Sequence, residues 1–182
     1  MEDSELVADY PSVKINDFMG GDMTLRRIES TRGVDTGGVY RSSVTVEQSW
    51  LHDSTHYDQD PSHADNQSHN DGIQVHGGSN YRFVGNTITG HNNAAIMVNQ
   101  AVSHTSDLLI DRNWLDGGGC SINIAAANQY GTSQLTVTNN RFGRSQHFAN
   151  CAIIVSFTQN ALTQSGNVWE ATGDAVALSR GS

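Results

Sequence analysis

At 182 residues and 19.7 kDa the chain is long enough for one continuous core, and a single domain spanning 1–182 is expected. Only 16% of its residues are charged, glycine is plentiful (18) and proline scarce (2), a balance that suits short strands joined by tight turns and disfavours long helices. The net charge of −9, with Lys14 the single lysine, repels a phosphate backbone, and no apolar run approaches the ~18–20 residues of a membrane helix, so neither nucleic acid nor membrane is an expected partner.

The chain begins Met1-Glu2-Asp3-Ser4, acidic and without the apolar stretch of a secretory signal. Residues 1–20 are read as a cap on one end of the fold, or as a segment that contacts a partner. A repeat follows. It is loose at Met23-Thr24-Leu25-Arg26-Arg27-Ile28 and clearer at Val44-Thr45-Val46-Glu47-Gln48-Ser49-Trp50-Leu51. Four later segments align without gaps: Tyr81 to Ile88, Leu108 to Leu115, Leu135 to Phe142 and Leu162 to Trp169. Each carries an apolar residue, a second apolar or neutral residue two further on, and an Asn three after that. The Asn falls at 86, 113, 140 and 167, a constant interval of 27, with Ser49 in the same place one repeat earlier.

A second strand accompanies each repeat, in the versions Gly72-Ile73-Gln74-Val75, Ala95-Ile96-Met97-Val98, Ser121-Ile122-Asn123-Ile124, Ala152-Ile153-Ile154-Val155 and Ala175-Val176-Ala177-Leu178. Its apolar residues alternate, so Ile73, Ile96, Ile122, Ile153 and Val176 should share one inward column, and Val75, Val98, Ile124, Val155 and Leu178 the next. A unit of this length cannot bury its own apolar face. Stacking units does so and pairs each strand in parallel with its equivalent. The expected fold is all-β, a parallel β-helix (a solenoid) of about six coils. The four Asn residues should then form an amide ladder in a turn, where Asn tolerates the left-handed backbone. Cys120 and Cys151 fall in one column of adjacent coils, within reach of a disulfide, although a reduced packed pair is the equal alternative.

The interval from Ser49 to Asn86 is 37, so about ten residues are inserted there, and the inserted loop is placed at 52–70. Five of the eight histidines (His52, His56, His63, His69, His76) lie in this neighbourhood, with Asp53, Asp58, Asp60, Asp65 and Asp71. Three readings compete. Adjacent Asp and His can divide acid and base work. The same residue types ligate divalent ions, with Asp53, Asp58, Asp65 and His69 as weak candidates and calcium as the candidate ion. The third reading is a plain solvated loop. Beyond the loop, Gln74 and His76 should point outward, followed on later coils by Asn99 and Asn123, a polar strip suited to a long polymer. Trp50 and Trp114 follow the anchor position, and either stack on sugar rings or, the favoured reading, pack under a neighbouring segment.

From about residue 20 to 180 these Asn-anchored repeats, together with the run His69 to Gly78, resemble the right-handed parallel β-helix, or pectate-lyase-like, superfamily. The resemblance implies a protein acting on polysaccharide as a lyase, epimerase or hydrolase, or a non-catalytic glycan-binding or structural module such as a phage tail or capsid decoration protein. It also implies an extracellular or virion-associated location, with a homotrimer as one assembly. Locally, Tyr57-Asp58-Gln59-Asp60-Pro61-Ser62-His63 is similar to the Tyr, Asp-Pro and His of alginate C5-epimerases and related lyases, with Ser62 inserted. That similarity implies acid/base roles for Asp60 and His63, joined by Asp71 and His76, with Tyr57 in support. No lysine stands nearby in sequence to neutralise a uronate carboxylate, and Arg82 is the nearest substitute.

Overall fold

The computed structural model describes residues 1–125, 130–156 and 162–181, and among these the chain forms 17 strands and no helix. Repeat by repeat, the strands are β1 (Glu2–Val7); β2 (Phe18–Gly20) and β3 (Met23–Thr31); β4 (Gly37–Glu47) and β5 (Trp50–His52); β6 (Asp71–Val84) and β7 (Thr87–His91). They continue as β8 (Ala94–Val98), β9 (Thr105–Asp111) and β10 (Trp114–Gly117); β11 (Ile122–Ile124), β12 (Thr132–Thr138) and β13 (Arg141–Phe142); β14 (Ile153–Ser156), β15 (Leu162–Ser165) and β16 (Val168–Trp169); and β17 (Leu178–Gly181). All the strand pairings among them are parallel, and the one antiparallel contact among the described residues is an isolated bridge between Val168 and Ala175.

The register shows why one residue type recurs in each column. In a first ladder Gly37, Ile73, Ile96, Ile122, Ile153 and Leu178 pair in succession. In a second, Val46, Phe83, Ile110 and Val137 follow one another. In a third, Ser30, Leu51, Ile88, Leu115, Phe142 and Trp169 do so. Nearly all of these side chains are buried in one core cluster. Each large apolar side chain removed from water contributes roughly 1.5–3 kcal/mol, and only stacking makes that removal possible. This many-stranded parallel sheet is compatible with the expected β-helix.

The Asn ladder is present and fully used. Asn113 Oδ1 accepts from the backbone N–H of Asn86 (2.9 Å) and from its Nδ2 (3.1 Å); Asn140 does the same for Asn113, and Asn167 for Asn140. Each Nδ2 also donates to a strand carbonyl, Phe83 in the case of Asn113 (2.9 Å). The left-handed residue is not the ladder Asn, as expected, but the one before it. Gln48, Gly85, Arg112, Asn139 and Gly166 have φ of 52, 67, 52, 55 and 66°. That turn leaves the following side chain pointing inward, where its amide replaces the strand bonds lost at the corner.

Two further departures concern the ends. Val176 does not share the column of Ile153; Leu178 does. After β16 the chain doubles back in a tight turn, with the Gly173 N–H donating to the Trp169 carbonyl (2.8 Å), so the last repeat is out of phase. At the other end β1 pairs in parallel with β3, and Phe18 lies where a Cβ on Gly37 would be, its ring lid-like over the first ladder. Cys120 and Cys151 are bonded, with Cα atoms 4.7 Å apart, and tie the repeat of β11 to that of β14.

Candidate functional site

The inserted loop is folded on itself. The Asp60 N–H donates to the Asn66 carbonyl (2.9 Å), Asn66 N–H to the His63 carbonyl (3.0 Å) and Ser68 N–H to the Tyr57 carbonyl (3.0 Å). The Asp60 carboxylate accepts from the backbone N–H (3.0 Å) and the hydroxyl of Ser62, which holds it below the usual carboxylate range although its side chain is buried. Asn70 Nδ2 donates to the carbonyls of Val34 (2.7 Å) and Thr55, and so fastens the end of the loop to the repeat before it. The rings of His63 and His69 stack with centroids 4.1 Å apart, and His69 Nε2 lies 2.9 Å from Asp65 Oδ2, a contact that lowers the Asp65 pKa.

This loop forms one side of a cleft of ≈ 490 Å³. A second wall is the stretch before and into β2, which contributes Val13, Lys14, Asn16 and Met19. The floor comes from the first ladder: Asp35 just before β4, Gln74 and His76 on β6, Asn93 and Met97 at β8, then Asn99. His76 reaches the cleft through a local irregularity. Val39 pairs with Val75, but Tyr40 pairs with Gly77, so His76 is an extra residue in β6. Partial burial holds its pKa below the ordinary histidine value, which keeps the ring neutral.

Two carboxyl groups stack at the edge of this floor. The Asp71 N–H donates to Asp35 Oδ1 (2.8 Å), Asn16 Nδ2 donates to Asp35 Oδ2 (3.3 Å) and Asn93 Nδ2 to Asp71 Oδ1 (2.9 Å). Asp71 Oδ2 is buried with no hydrogen-bond partner among the described residues. Burial pushes Asp35 up to about 6. Burial and then the charge of Asp35 push Asp71 well above the usual range.

Of the residues expected at the site, the cleft brings together Asp60, His63, His69, Gln74, His76 and Asn99. It does not bring in the others. Asp71 is wholly buried behind Asp35. Tyr57 closes the loop through its backbone and does not line the cleft. Arg82 lies on the second ladder, where its guanidinium is occupied by both oxygens of Asp107 (3.0 and 3.2 Å), so it is no substitute for a lysine. Asn123 sits beside Met97, one repeat on, outside the cleft lining. Asp53 is held by His52 Nδ1 (2.8 Å), and Asp58 lies 3.6 Å from His56 Nε2, away from the Asp65–His69 pair. Among the described residues no group of three or more His, Cys, Asp or Glu side chains is arranged to hold a metal ion.

The cleft residues missed from sequence are Lys14, Asn16, Asp35 and Asn93. Lys14 carries no signal in the sequence beyond being the single lysine of the chain. Asp35 had a readable signal, since Asp35…Val39 and Asp71…Val75 share a spacing and the register places one over the other. Trp50 also departs from the favoured reading. It is 46% exposed, not covered by a segment, and stacks at 3.6 Å on His52, which Glu29 and Asp53 hold from its two nitrogens. Comparison with protein families, with curated proteins and with solved structures gives no match to this chain.

Proposed function

We propose that the chain is a right-handed parallel β-helix of the pectate-lyase-like kind that acts on a polysaccharide by proton transfer at the sugar ring. The 27-residue register and three parallel ladders support the fold. One observation carries the function. Lys14, His63, His69 and His76 arrive in a single cleft with Asp35 and Asp60, from three separate parts of the chain. A cation, neutral imidazole and carboxyl groups at one concave surface are the parts that proton abstraction beside a carboxylate needs. Lys14 is the group suited to a uronate carboxylate, the role for which sequence offered no lysine. The open polar floor suits a chain rather than a small molecule. The bonded cysteines favour an extracellular or virion-associated setting, and a homotrimer is the assembly to test.

The second reading, a glycan-binding or structural module as on a phage tail, is favoured by exposed Trp50, a ring held in place by His52. A polysaccharide panel separates the two. Incubation with polyuronates and neutral glycans should raise ultraviolet absorbance from unsaturated uronate, or change the epimer ratio seen by NMR, and Lys14→Met should raise KM for polyuronates. Glycan binding without change to any polymer would establish the module instead.

A further inference from the structure

We propose that Asp35, backed by the buried carboxyl of Asp71, is the proton donor of the cleft, delivering its proton to the leaving oxygen of a glycosidic bond. The inference rests on reading the cleft as a proton-transfer site and adds the acid which that reading lacks. Geometry carries it. The two carboxyls sit one above the other in adjacent repeats, with Asn16 and Asn93 clamping them from either side. Asp71 Oδ2 has no partner among the described residues, and two buried carboxylates this close cannot both stay ionised. One proton retained by the pair removes the second buried charge, and no side-chain hydrogen bond joins the two carboxyls. Of the pair only Asp35 lines the cleft, so only Asp35 can touch a substrate.

The complementary base stands nearby. The point a Cβ on Gly38 would occupy lies 3.1 Å from Asn16 Nδ2 and 3.7 Å from His76 Nε2, so the amide that holds Asp35 and the His76 ring share the bare surface of Gly38. Burial moves the two groups in opposite senses, leaving His76 neutral and able to accept while the carboxyl pair keeps a proton to give. In an eliminative cleavage His76 takes the proton at C5 of a uronate, the released electron pair forms the C4–C5 double bond, and the C4–O bond breaks. The departing oxygen takes the proton of Asp35. Asp35 is left as carboxylate and His76 as imidazolium, and exchange with water resets both. The charged and titratable groups facing Asp35 are Asp71 from β6, His69 from the loop, and Asp17 beside it, whose N–H donates to the Asp35 carbonyl (3.3 Å).

The test has two arms. Infrared spectra at pH 7 should show a protonated carboxyl band in the wild-type protein that is missing from Asp71→Asn. Absence of the band from the wild type, or its persistence in Asp71→Asn, overturns the retained proton whatever the activity. On a polyuronate that the wild type cleaves, Asp35→Asn should lower kcat about 100-fold or more with KM little changed. Asp71→Asn should keep partial turnover with its alkaline limb moved to lower pH. Melting curves identify any unfolded variant, and Asp35→Ala then serves in place of Asp35→Asn. Wild-type turnover in the Asp35 variants overturns the donor alone and leaves the cleft reading standing. No turnover of any polymer by the wild type overturns both.

Discussion

Asn113 uses every hydrogen-bonding atom of its amide inside the stack, serving the N–H and Nδ2 of Asn86, the Phe83 carbonyl and Asn140 Oδ1. Asn113→Ala would leave the Asn86 N–H buried and unpaired and would remove three further amide hydrogen bonds, those with Asn86 Nδ2, the Phe83 carbonyl and Asn140 Oδ1. At ~1–3 kcal/mol for the orphaned group and ~0.5–1.5 kcal/mol for each lost bond, the expected loss is about 4 kcal/mol. For a protein of this size that lowers Tm by on the order of 10 °C. The chain itself supplies a milder variant. Ser49 holds the ladder position one repeat earlier, where its Oγ accepts from the Ile28 N–H (3.1 Å) and donates to the Glu47 carbonyl (2.8 Å). Asn113→Ser should therefore melt between Asn113→Ala and the wild type in thermal denaturation; equal losses for Ser and Ala would show that packing, not hydrogen bonding, sets the cost. The same residue scale shows what spacing reveals. The interval of 27 exposed the ladder because four successive units place the same amide at one level, each Asn bonded to the next. The left-handed residue was misplaced by one because Gln48 and Arg112, unlike Gly85, carry no compositional sign of that backbone.

Elements differ in how far local pattern reaches. The apolar columns of β6 to β14 were legible, since alternation and stacking require the same residues. The phase of β17 was not, because the turn at Gly173 shortens the last repeat and only tertiary packing reveals it. The cleft is a similar case. Its loop and the β6 part of its floor lie within one recognisable unit of sequence, whereas Lys14 and Asn16 come from a segment with no repeat, placed by the pairing of β2 on β4. Cys120–Cys151 joins the units of β11 and β14 across a separation of 31 residues. Between them the segment through His147 and Phe148 bonds back to Gly118 and Gly119 (2.8 and 3.1 Å). Closing a loop of that size constrains the unfolded chain by about 3.5 kcal/mol in the entropic account. Reduction should lower Tm by on the order of 10 °C in melts with and without reductant. Hydrogen exchange should speed up first over 143–151. Because neither cysteine lines the cleft, ligand binding below the melting range should be unchanged. Loss of cleft binding on reduction would instead mean that the stack transmits strain across several repeats.

At the scale of the whole molecule, the net charge of −9 opposes the single lysine of the cleft. An acidic polymer approaching from solution meets the long-range field before it meets Lys14. The two act over different distances. Screening shortens from about 30 Å at 0.01 M salt to about 8 Å at 0.15 M. The repulsion from distant carboxylates is then largely removed, while a contact between the Lys14 ammonium and a bound carboxylate, made within a few ångströms inside a partly desolvated cleft, is weakened much less. Affinity for a polyuronate should therefore rise with salt over this range, opposite to the behaviour of a basic groove. Affinity for a neutral glycan of the same length should stay flat. Lys14→Met should weaken polyuronate binding at both salt concentrations while preserving the upward slope, because the slope belongs to the molecule and the contact to the residue. Titrations by calorimetry at several salt concentrations would measure both. A falling affinity for the polyuronate would place its binding surface outside the cleft.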